Sequence, residues 1–74
     1  MKRAGTVVRI AQGLAIVRAE NEEFPEIGTA VVDEQLDEIG RIVDVFGPVE
    51  RPYLAVTPAD RSLPQLVGSV LYAR

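Results

Sequence analysis

Seventy-four residues with a formal net charge of −3 and a sequence pI near 4.8 are enough for one domain, and the charge weighs against a broad phosphate-binding face. The chain has no cysteine and no histidine, which removes disulfides, thiolate and imidazole metal sites, and histidine-based hydrolytic triads. Apolar residues make up 47% of it. A fold of this mass has about 4,500 Å² of surface and cannot hide them all, so an apolar patch of partner size is compatible with the composition.

The opening stretch "MKRAGTVVRIAQGLAIV" breaks its apolar residues with Arg9 and Gln12, unlike a signal peptide. No stretch approaches the ~20 apolar residues of a membrane span. These features predict a mature, soluble, cytoplasmic chain with no membrane partner.

In chain order, 4–11 is rich in β-branched residues and reads as a strand. Residues 13–20 read as a second, with Leu14, Ile16 and Arg18 on one side and Ala15, Val17 and Ala19 on the other. The short link through Gln12 and Gly13 predicts a hairpin between them. Residues 21–28 form a polar loop from which Phe24 turns inward as a lid on one barrel end. A third strand is expected over 29–34 and a fourth from Ile39 to Phe46, with Gly40 marking a bulge or a close backbone approach. Gly47-Pro48 makes a corner. A fifth strand over 49–56 contains Pro52, which implies an edge, a first residue or a bulge. After Thr57-Pro58 the chain is turn-like, and Ser62 caps one helical turn near Pro64. Residues 68–73 close as a sixth strand. Six short strands separated by turn signals predict an all-β fold, a small barrel or sandwich, occupying 1–74 as one domain.

Chemistry is hard to find in this sequence. Ser62 and Ser69 sit in no nucleophile elbow, and Lys2 is the single lysine. Asp33, Glu34, Asp37 and Glu38 cluster round one turn and read as a solvated face rather than a cation site. The glycines form no phosphate-cradling loop. No catalytic residue, metal or cofactor is expected, and an enzyme is not. Asp44 interrupts an apolar run, and its expected part is structural: an acceptor for Arg41 or for backbone amides at the corner.

That run is the sequence's main puzzle. In "DEIGRIVDVFGPVERPY" (37–53), Ile39, Ile42, Val43, Val45 and Phe46 put carbon on both faces of one strand. A two-faced strand ending at a rigid corner suits a partner, because the corner presents its apolar side chains with little ordering cost.

The pattern Ile39-Gly40-x-x-x-Asp44-Val45-Phe46-Gly47-Pro48, followed by Pro52-Tyr53, resembles the archaeal glycine-arginine-rich protein of H/ACA ribonucleoproteins, which carry out RNA-guided pseudouridylation. Ile27-Gly28, Val32-Asp33 and the final "LVGSVLYA" extend the resemblance over nearly the whole chain. It implies a six-stranded barrel similar to the second domain of translation elongation factors. It also implies a non-catalytic subunit that binds the catalytic domain of a dyskerin-type pseudouridine synthase. That subunit modulates substrate RNA loading, placement and release in rRNA pseudouridylation, and meets guide and substrate RNA only indirectly. The glycine-arginine-rich tails of eukaryotic members have no counterpart in this sequence, so tail-mediated RNA contact is not expected.

The expected partner-binding residues are Ile39, Gly40, Val43, Asp44, Val45, Phe46, Gly47, Pro48, Val49, Pro52 and Tyr53, on a chain that is a monomer within the complex. Tyr53 suits an interface anchor, with apolar area and a hydroxyl, while Phe46 is divided between core packing and contact. A second reading is an RNA-contacting barrel akin to PRC-barrel or ribosome-maturation domains, whose loose strand-glycine-strand pattern "IGRIVDVFG" also fits.

Overall fold

The computed structural model describes residues 2–20, 22–59 and 66–74. Six strands follow one another: β1 (Lys2–Ala11), β2 (Leu14–Arg18), β3 (Ala30–Val32), β4 (Glu38–Phe46), β5 (Tyr53–Pro58) and β6 (Val70–Ala73). All pair antiparallel and close into a barrel in the order β1-β2-β5-β4-β3-β6. Closure leaves no sheet running out to two free edges, and it satisfies most of the ladder in a chain too short to cover an edge otherwise. The all-β barrel expected from the sequence is the fold observed, and its accessible surface is 4390 Å².

Alternation builds the interior. Ala15 and Val17 of β2 and Leu54 and Val56 of β5 point into a core that also holds Val7, Val31, Ile39, Ile42, Leu66 and Leu71. Phe24 packs against this core from the connection between β2 and β3, as a lid would. Gln12 and Gly13 both take positive φ, 53° and 78°, giving the two-residue turn that joins Ala11 to Leu14 across the first hairpin.

Strand limits differ from the sequence reading in two places with clear causes. β3 stops at Val32 because the Asp33 carboxylate accepts from the amides of Gln35 (2.8 Å) and Asp37 (3.0 Å), a side-chain turn that diverts the backbone. β5 begins at Tyr53 rather than at 49, since Pro52 has no amide to give to the ladder. The helical turn expected near Pro64 with its Ser62 cap lies outside the described residues.

The register carries four bulges, at Arg3/Gly5 and Val7/Arg9 of β1, Val31/Val32 opposite Glu38/Gly40, and Ile42/Asp44 of β4. Each adds local twist, which a narrow barrel needs to close. In β4 they also resolve the two-faced apolar run. A bulge changes which parity faces inward, so Ile39, Ile42 and Val45 all reach the core although they are spaced by three rather than two. Val43 is the extra residue of the second bulge and stays 44% exposed.

Two glycines fix where strands touch. A Cβ on Gly40 would lie 1.8 Å from the carbonyl oxygen of Thr57, and one on Gly5 would lie 2.1 Å from that of Arg18. Gly40 thus shows both features expected of it, a neighbouring bulge and a close backbone approach.

Candidate partner-binding face

The β4–β5 hairpin is held rigid from inside its own turn. Gly47 takes φ +91°, and a Cβ there would meet the Tyr53 ring at 2.9 Å, so only glycine fits without displacing that ring. The Arg51 amide donates to the Pro48 carbonyl at 3.3 Å, folding the tip back on itself. Arg51 Nε then donates to the Ala19 carbonyl at 3.0 Å, and the Ala19 amide to that of Pro52 at 2.9 Å. The corner is tied to the end of β2 at two points, and Val49 at its tip is 78% exposed.

Behind the tip lies a stack across three strands. The register puts Arg18 of β2 opposite Tyr53 of β5, and Tyr53 opposite Phe46 of β4. Phe46 and Tyr53 stack with centroids 5.6 Å apart and planes 20° from parallel. On the other side the Arg18 guanidinium lies 4.6 Å from the Tyr53 centroid, and its Nη1 donates to the Tyr53 hydroxyl at 2.7 Å. Cation on ring and ring on ring contribute about 0.5–1.5 kcal/mol each, enough to hold the row in one conformation.

The next row inward along the strands is apolar. Ile16 pairs with Ala55, and both are buried yet lie outside the core cluster, as their outward parity requires. The bulge residues Val8 and Val43 flank this pair on β1 and β4, each 44% exposed. The outer face of β1-β2-β5-β4 therefore carries Val8, Ile16, Ala55 and Val43 above the row Arg18, Tyr53 and Phe46.

Asp44 has a local role. Its carboxylate accepts from the Val45 amide at 2.8 Å. β3 begins at Ala30, opposite Arg41, so β4 runs on past the end of its β3 neighbour and Asp44 covers a donor on that open stretch. Arg41 donates instead to the Gly28 carbonyl at 3.0 Å, so the expected acceptor role of Asp44 is filled by an amide and not by Arg41.

The residues expected at the interface separate into two groups. Val43, Asp44, Phe46, Gly47, Pro48 and Val49 are exposed, and Tyr53 and Val45 are half-buried. Ile39, Gly40 and Pro52 are buried and offer no surface; they support the hairpin from behind, Ile39 in the core and Gly40 against the Thr57 backbone. Arg18 and Val8 offer surface on this face and were not among the expected residues, while Ile16 and Ala55 between them are buried. The one signal for Arg18 was its place on the same side of its strand as Leu14 and Ile16.

The remaining polar features are ordinary. Arg3 and Glu20 form an exposed ion pair at 2.9 Å. Among the described residues no group of three Asp or Glu is placed to hold a metal ion, and no helix is long and apolar enough to cross a membrane.

This architecture is that of a small closed antiparallel β-barrel with an apolar, aromatic outer face. Residues 1–73 match the family model described as the Gar1/Naf1 RNA binding region. The chain belongs to this family, that of the Gar1 components of H/ACA ribonucleoproteins, which are non-catalytic subunits. It is similar to an uncharacterized protein of Methanocaldococcus jannaschii, 35% identical over 52 residues, a match covering 70% of this chain and 60% of that relative. It is also similar to an uncharacterized protein of Methanothermobacter thermautotrophicus, 29% identical over 76 residues, covering 97% of this chain and 82% of that one.

Proposed function

We propose that the chain docks on the catalytic domain of a dyskerin-type pseudouridine synthase through the outer face of β4, β5 and β2, as a cytoplasmic single copy within the complex. Seated there, it modulates substrate RNA loading, placement and release in rRNA pseudouridylation without contributing a catalytic group. The observation that carries this reading is the rigid corner. Val43, Phe46 and Val49 are exposed, and all belong to one hairpin tied down by Gly47, Arg51 and the Ala19–Pro52 bond. Apolar groups held in place before binding lose little freedom when a partner covers them.

Direct RNA binding, the words of the family description notwithstanding, has less support from the charges. Arg3 is paired with Glu20, while Arg41 and Arg51 each donate to a backbone carbonyl, so these three cations are already engaged within the chain. The test is binding of the purified chain to the synthase, followed by guided pseudouridylation at limiting synthase with and without it. Phe46→Glu is expected to abolish binding and the change in turnover together. Wild-type binding by a folded Phe46→Glu chain, or turnover indifferent to the protein, overturns the reading.

A further inference from the structure

Among the described residues no carboxylate answers the charge of Arg18. The ion pair seen among the described residues joins Arg3 to Glu20, and the acceptor that Arg18 reaches is the neutral hydroxyl of Tyr53. Its Nε is fully buried with no hydrogen-bond partner, and the side chain as a whole is half-buried. A guanidinium placed among apolar groups and left without a counter-charge is costly, and structures that keep one normally supply the anion from elsewhere. The geometry is already prepared for it. Tyr53 holds the guanidinium plane against its ring, and because its oxygen accepts from Nη1, its own proton is left to donate. The remaining Nη hydrogens and the phenol are the donors of this row, with the Tyr53 ring between Arg18 and Phe46 at the border of the exposed apolar patch.

We infer that Arg18 and Tyr53 form an anchor for a carboxylate of the protein partner, an Asp or Glu flanked by apolar residues that cover Phe46, Val43 and Val49. This rests on the docking reading above and names the chemistry the partner must bring to that face. A carboxylate fits better than a nucleic-acid phosphate because of what surrounds the anchor. Glu20, Glu22 and Glu23 leave the end of β2 directly after Arg18, and Glu50 sits in the hairpin tip, which the Ala19–Pro52 bond fixes beside them. A polyanion would meet these carboxylates along its length, whereas a single acid set in an apolar segment meets Arg18, with Arg3 already paired to Glu20 and Arg51 drawn onto the Ala19 carbonyl. The Arg fork also matches a carboxylate in two parallel hydrogen bonds, which lysine cannot do.

The experiment is titration of the synthase catalytic subunit with wild type, Arg18→Gln, Arg18→Met and Phe46→Glu, each first shown to be folded by near-ultraviolet circular dichroism, at low and high salt. Arg18→Gln is expected to weaken binding by about 30-fold or more at low salt and to flatten the salt dependence, as losing one member of a desolvated charge pair does. Arg18→Met keeps a side chain that packs on the ring and removes the charge, so it carries the same expectation should the glutamine variant not fold. If both Arg18 variants bind like wild type while Phe46→Glu does not bind, the docking face stands and the carboxylate anchor is overturned. If Phe46→Glu also binds like wild type, both fall together. A parallel titration with guide RNA alone separates the two anions: wild-type binding to RNA that disappears in Arg18→Gln, with synthase affinity unchanged, overturns the anchor in favour of phosphate.

Discussion

Arg18 reaches Tyr53 twice, lying 4.6 Å from the ring centroid and donating to the hydroxyl at 2.7 Å, from a strand that is 35 residues away in sequence. The two contacts are separable by mutation. Tyr53→Phe keeps the ring, and therefore the stack with Phe46, and removes the acceptor alone. A hydrogen bond to a charged donor at a half-buried site is worth about 1–2 kcal/mol, near the lower end for such bonds because water reaches it. The midpoint of thermal unfolding should fall by roughly 5–10 °C, as expected for a domain of this size. An unchanged midpoint would mean that the hydroxyl bond adds nothing to the stacking.

Glycine positions differ sharply in what they tolerate. At Gly40 an added Cβ meets the backbone of Thr57, with the carbonyl oxygen at 1.8 Å and its carbon at 2.8 Å, so β4 and β5 must separate to admit it. Gly40→Ala is expected to destabilise by about 3 kcal/mol or more, or to prevent folding. Gly13 has φ +78° but nothing within 4 Å of the added carbon, so Gly13→Ala carries only the left-handed backbone strain, about 1–2 kcal/mol. Urea midpoints of the two variants measure the contrast, and equal losses would refute it.

The sequence announced the barrel because short strands punctuated by glycine and proline leave few other folds for so small a chain. It also announced the hairpin through 47–53, since Gly47-Pro48 is local chemistry. What it did not disclose depends on register. Ile39, Ile42, Val43, Val45 and Phe46 looked two-faced because alternation assumes no bulge, and the bulge at Ile42/Asp44 is defined by the partner strand β5. Burial of Ile39 and Pro52 and the use of Arg18 have the same origin. Pairing of β2 with β5 is non-sequential, and nothing local to Arg18 indicates that an aromatic ring lies opposite.

Stability should be nearly flat across neutral pH. The chain has no histidine, so no side chain has an ordinary pKa between about 5 and 8. Arg3 is held further above its already high value by the hydrogen bond and charge of Glu20. A raised pKa gives a contribution that is complete below the unfolded value and fades only as pH climbs past the folded one, far into alkali. The pair is exposed and screened by solvent, so Arg3→Met should leave both the unfolding temperature and its pH profile where they were. A profile that shifts in this variant would reveal a coupling that the exposed geometry does not provide.

Separating stability from binding gives the sharpest test of the outer face. Val49 is 78% exposed at the hairpin tip, so Val49→Ser loses almost no buried area within the barrel and its unfolding midpoint should match wild type. Phe46 is 39% exposed and stacked on Tyr53, so Phe46→Ala should cost about 1 kcal/mol of stability and also lower affinity for the synthase. In a docking face both substitutions weaken the complex, by about fivefold or more for Val49→Ser and more for Phe46→Ala, because truncating a covered aromatic anchor removes the larger contact. If the hairpin only closes the barrel, Phe46→Ala alters stability alone and Val49→Ser alters nothing. Paired thermal unfolding and binding isotherms on the two variants distinguish these outcomes, since the docking reading requires Val49→Ser to reduce affinity without touching the fold.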